Sequence, residues 1–81
     1  MFQFQDKIVV VTGGAHGIGK CICEQFHKMG ARVCVIDVLE NPYFVGNLAD
    51  KETLEIFVQK VIDDYGHVDY LINNAAPLSK G

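Results

Sequence analysis

The run Lys7-Ile8-Val9-Val10-Val11-Thr12 has nothing polar between its two ends, and glycines follow it at positions 13, 14, 17 and 19. A strand that is apolar on both sides must be covered on both sides, which places it inside a parallel sheet. Next, Ile18, Ile22, Phe26 and Met29 recur at helical spacing, and Gly30 stands where such a helix would end. The chain therefore has to turn from a buried strand into a helix within a few residues. Glycine permits that turn because it lacks a Cβ.

The other elements follow from the same periodicities. Arg32 to Asp37 reads as a second buried strand, Glu40-Asn41-Pro42 as a turn, and Tyr43 to Gly46 as a short third strand. Asp50 is suited to cap a helix, and Gly66 to close it. Between them Leu54, Phe57, Val58, Val61, Ile62 and Tyr65 form one apolar stripe. Each could contribute roughly 1.5–3 kcal/mol if fully buried. Val68 to Asn73 reads as a last strand, and Asn74 to Gly81 as loop. The order β-α-β-β-α-β implies an α/β fold with a parallel sheet. Its doubly wound solution has strand order 3-2-1-4, with the two helices on opposite faces. The link from Asp37 to Tyr43 is too short for an ordinary crossover helix, so strand three is the weak point of this topology.

Length and charge narrow the classes of function. Eighty-one residues suffice for one small domain, and 49% apolar with 21% charged residues is a globular mixture. A net charge of −3 gives no footprint for nucleic acid or an anionic membrane surface. No apolar run approaches the ~18 residues of a membrane span. The first residues lack the basic-then-apolar pattern of a secretory signal. Cys21, Cys23 and Cys34 are an odd number without a disulfide framework, which suggests a reducing cytoplasm. Cys21 and Cys23 stand two apart on a helix and do not share a face, so no metal site is expected from them. Buried or half-buried free thiols are the expected state.

In an open parallel sheet, ligands bind beyond the carboxyl ends of the strands, where the strand order reverses. Here those ends carry Thr12 with the glycines, Asp37, Asn47, and Asn73 with Asn74. A glycine turn between a strand and a helix suits a pyrophosphate, which needs close backbone approach and a helix N-terminus aimed at it. In that reading Gly13 makes the turn, Gly17 leaves room for the phosphates, and Gly19 brings the helix close to the sheet. Asp37 can accept from both ribose hydroxyls of NAD and would repel the 2′-phosphate of NADP. Val38 offers that phosphate nothing, and His16 at most a partial positive charge. NAD is thus the expected cofactor. His27 and His67 read as surface residues.

The segment Thr12-Gly13-Gly14-Ala15-His16-Gly17-Ile18-Gly19 resembles the TGxxxGxG motif of the classical short-chain dehydrogenases/reductases, and Asn73-Asn74-Ala75-Ala76 resembles their NNAG motif. The resemblance spans the chain and implies the N-terminal part of a Rossmann fold, cut after strand four. It implies that Gly13, Gly14, Ala15, His16, Gly17, Ile18 and Gly19 cradle the pyrophosphate and adjoining ribose, and that Asp37 binds the adenosine ribose. It further implies that Asn47 and Leu48 meet the adenine, and that Asn74 and Ala75 line the cleft. Asn47 stands where the family has aspartate, Ala76 replaces the last glycine of NNAG, and the link between strands two and three is short. The family's catalytic serine and YxxxK pair come after strand four. No tyrosine here has lysine four residues on, so these 81 residues alone are expected to be inactive and to belong to a longer oxidoreductase acting on an alcohol or carbonyl. A non-catalytic nucleotide-binding module, or an assembly unit joined through the bare edge of strand four, is the alternative.

Overall fold

A computed structural model describes residues 4–75. Its elements are β1 (Ile8–Thr12), α1 (Gly17–Lys28), β2 (Arg32–Asp37), β3 (Phe44–Val45), α2 (Lys51–Tyr65) and β4 (Tyr70–Asn73). The four strands form one parallel sheet in the order β3-β2-β1-β4. This is the expected doubly wound, Rossmann-like arrangement. Ala76 and the remaining tail lie outside the described residues.

Alternation along β1 divides the core in two. Ile8 and Val10, with Cys34 and Ile36 of β2, face Phe57 and Val61 of α2. Val9 and Val11 point the other way and join Ala31, with Phe26 and Cys23 of α1 packed against them. The helices therefore cover opposite faces. All five residues of β1 are buried, as a central strand of this kind requires.

The third strand is shorter than the sequence suggests, and its register explains how so short a link can feed it. Phe44 pairs with Ile36 and Val45 with Asp37. The chain thus joins β2 near its carboxyl end and need not return along the sheet to start a full strand. Asn41 holds the connection: its Nδ2 donates to the carbonyls of Leu39 and Phe44, and its Oδ1 accepts from the amides of Tyr43 and Phe44, all at 2.9 Å. Tyr43 then ties the turn to α2. Its hydroxyl donates to Asp64 at 2.6 Å, and Lys60 lies 3.2 Å from the same carboxylate.

Much of the apolar pattern is left uncovered. On α2 only Phe57 and Val61 are buried, whereas Val58, Ile62 and Tyr65 are exposed. β4 begins at Tyr70 instead of Val68, and Leu71 is 65% exposed. Val58 and Leu71 share a cause. β4 is the edge of the sheet, so the groove of about 410 Å³ that Val58, Val61, Val68 and Leu71 line together lies open. Ile18, at the start of α1, is also exposed. Among the cysteines, Cys34 is buried and Cys23 half-buried as expected, but Cys21 is exposed. Burial pushes the Cys34 thiol up to about 11.

Candidate functional site

The carboxyl ends of β1, β2 and β4 meet around the glycine turn. Thr12, buried at the end of β1, donates its hydroxyl to Asn73 Oδ1 at 3.0 Å and accepts from the amide of Ala75 at 3.0 Å. Asn74 donates through Nδ2 to the Gly13 carbonyl at 3.0 Å. The two sequence motifs, sixty residues apart, are thus laced into one structure. Gly19 sits where they meet. A Cβ there would fall on the Gly13 carbonyl oxygen and lie 2.5 Å from Asn74 Nδ2. Gly17 has φ +58°, and a Cβ on it would meet no protein atom within 4 Å, so the turn is open on its outer side.

α1 starts without a side-chain cap. His16 holds the N-cap position in extended backbone, makes no capping bond, and no acidic residue follows in the first turn. The first bond of this turn runs from the Lys20 amide to the His16 carbonyl at 3.2 Å. The amides of Gly17, Ile18 and Gly19 precede it, and no acidic residue in the first turn offsets the positive end of the helix dipole. Such an end suits an anion.

Asp37 closes the site on the β2 side. Only 7% exposed, it accepts from the Ala15 amide at Oδ2 and from the Leu39 amide at Oδ1, both at 3.0 Å. Burial pushes its carboxyl up, but the amides of Leu39 and Ala15 together with nearby His16 outweigh this and hold it below the usual carboxylate range. His16 Nδ1 lies 3.7 Å from Asp37 Oδ2. The bond from Ala15 was not foreseen. Asp37 grips the glycine turn as well as ending its strand. A carboxylate has about four lone-pair sites, so two amides do not exhaust it.

The structure brings Gly13, Gly14, Ala15, His16, Gly17, Ile18, Gly19, Asp37, Asn74 and Ala75 to this one end of the sheet. Asn47 is exposed beyond β3 and accepts from the Ala49 amide at 2.9 Å. Leu48 turns inward onto the cluster around Phe57. Thr12 and Asn73 were expected at the polar strand ends, without a role of their own in binding. Their polar side chains at the tips of otherwise apolar strands were the available signal.

The fold and this switch-point turn define a Rossmann-like α/β protein. Residues 7–80 match the family model described as short chain dehydrogenase, and the chain belongs to that family of oxidoreductases, whose members bind NAD(P). An uncharacterized oxidoreductase of Schizosaccharomyces pombe is 35% identical over 79 residues, covering 88% of this chain and 30% of its own length. Xanthoxin dehydrogenase of Arabidopsis thaliana is 32% identical over 87 residues, with 85% and 30% covered. Among solved structures, an apo SCOR enzyme from Clostridium thermocellum superposes with a TM-score of 0.82 at 39% identity, covering 95% of this chain and 37% of that one. The ligand-free aldohexose dehydrogenase of Thermoplasma acidophilum gives 0.82 at 29% identity, with 95% and 32% covered. The chain therefore spans about a third of the length of the relatives it matches.

Proposed function

We propose that this chain is the NAD(H)-binding part of an oxidoreductase that moves hydride between a nicotinamide and an alcohol or carbonyl substrate. The observation that carries the reading is the uncapped, acid-free N-terminus of α1 behind an open glycine turn, with the Asp37 carboxylate beside it. The residues fit a dinucleotide: amides of Gly17, Ile18 and Gly19 for the pyrophosphate, Asp37 for the ribose hydroxyls, and Asn74 and Ala75 for the floor of the cleft. When bound, NAD supplies or accepts the hydride.

Proton transfer to the substrate oxygen needs a positioned acid, and the family's YxxxK pair has no counterpart among these 81 residues. We therefore expect binding without turnover from them alone. A cytoplasmic setting is part of the same proposal, supported by three free cysteines. So is self-association through the exposed β4 edge. Calorimetric titration with NAD+ and NADP+ tests the cofactor assignment. Tighter binding of NAD+ is expected, with Asp37→Ala weakening NAD+ more than NADP+. Equal affinity for the two would remove the role given to Asp37.

A further inference from the structure

Asp37 Oδ2 accepts from the Ala15 amide at 3.0 Å, at the tip of the glycine turn. Its Oδ1 accepts from the Leu39 amide, also at 3.0 Å, so the carboxylate is itself fixed from both sides. The other ties of the turn lie at its two ends or are long. The Gly13 amide donates to the Ile36 carbonyl at 2.8 Å, and Asn74 donates to the Gly13 carbonyl at 3.0 Å. On the helix side the Lys20 amide donates to the His16 carbonyl at 3.2 Å. Cys23 Sγ reaches the Gly14 carbonyl at 3.8 Å. Among the described residues, the Ala15 amide is the only one from residues 14–17 that donates to a protein acceptor. We propose that Asp37 is a positioning residue for this turn: by holding the Ala15 amide it sets the backbone in the shape that receives a pyrophosphate, apart from any contact with a ribose. The inference rests on the dinucleotide reading above and gives the same carboxylate a second role.

Charge alone predicts the opposite effect. A carboxylate beside an anion site repels the anion, so deleting it should tighten phosphate binding. Backbone freedom works with the other sign. Gly13 and Gly17 stand in the left-handed region at φ +70° and +58°, with Gly14 between them. A turn so rich in glycine has many conformations open to it, and any ordering left until a ligand arrives weakens binding. A bond from a backbone amide to a buried carboxylate is charge-assisted and directional. Losing one such bond is worth about tenfold in an equilibrium constant. Repulsion between the carboxylate and an exposed anion is screened by salt and is worth less. The two effects separate in a ligand that carries phosphates and no ribose.

The probe is inorganic pyrophosphate at neutral pH and constant ionic strength, followed through the amide chemical shifts of Gly13 to Gly19. The unaltered chain is compared with Asp37→Ala, with Asp37→Asn, and with a chain made by chemical ligation that has an ester in place of the Gly14–Ala15 amide. The ester removes the donor and keeps the carboxylate. Asp37→Ala and the ester chain are expected to bind pyrophosphate about tenfold more weakly than the unaltered chain. Asp37→Asn keeps an acceptor oxygen and loses the charge, so it should recover most of that loss. Pyrophosphate bound by the ester chain as tightly as by the unaltered chain, or more tightly by Asp37→Ala, overturns the inference; NAD+ binding then still supports the cofactor assignment. The ester chain decides the question if Asp37→Ala does not fold. Should pyrophosphate move none of these amides in the unaltered chain, the phosphate reading of the turn fails and this inference falls with it.

Discussion

The two helices lie on opposite faces of one sheet, yet they begin in opposite ways. α2 opens on Asp50, whose carboxylate accepts from the Glu52 amide at 3.1 Å, and Glu52 adds a second negative charge in the first turn. Its N-terminus is satisfied by its own side chains. α1 opens on His16 with no capping bond and no acid in its first turn, and a glycine replaces every large side chain between Thr12 and the helix except His16 and the small Ala15. One N-terminus is closed by the fold's own side chains; the other is not. The same contrast holds at the far ends. Gly66 closes α2 in the left-handed region at φ 85°, and Gly30 follows α1 at φ 90°. Both helices thus end on or just before a left-handed glycine, while their first turns differ.

The comparison can be broken most severely at Gly19. A valine there would drive its side chain into the Gly13 carbonyl and Asn74, so we expect about 3 kcal/mol lost in chemical denaturation, and dinucleotide binding lost with it. A smaller and more discriminating change is Ile18→Glu. Ile18 is 75% exposed, so little packing is lost. An acid in the first turn of α1 should stabilise the helix by about 0.3–1 kcal/mol while lowering NAD+ affinity at least about tenfold. Opposite signs in a melting curve and a titration would mark this end as functional. The mirror change, Asp50→Ala in α2, should cost about 1 kcal/mol of stability and leave NAD+ affinity unchanged.

The smallest effect concerns acid. Because the folded carboxyl of Asp37 titrates below its ordinary 3.8, the stability it contributes is present above that value. It is lost as pH falls through the lowered pKa. The acid limb of a pH–stability curve should therefore flatten in Asp37→Asn, with the neutral arm showing a constant loss.

Much of this was legible in the sequence because the strongest signals are local. The apolar run of β1, the glycines after it, the Asp50 cap and the Gly66 stop each depend on a few neighbouring residues, and all appear where expected. The strand order followed from connection rules and short loops. What sequence did not reveal depends on coverage and register. Val58, Ile62 and Leu71 carry the apolar pattern of a core, but periodicity reports which face is apolar and not what lies against it. β3 could not be sized, because its length follows from pairing at the end of β2 and from the bonds of Asn41. At the site, Asp37 was visible as a strand-end acid. Its grip on the Ala15 amide was not, since that bond joins positions brought together only by the turn.

In the proposed function a dinucleotide occupies the N-terminus of α1 and leaves that of α2 alone. Amide chemical shifts followed by NMR during titration with NAD+ test it most directly. Saturable shifts of the Gly13 to Gly19 amides are expected, with Lys51 to Leu54 unmoved. Saturable shifts centred on the first turn of α2, or no shifts at either helix, would contradict it.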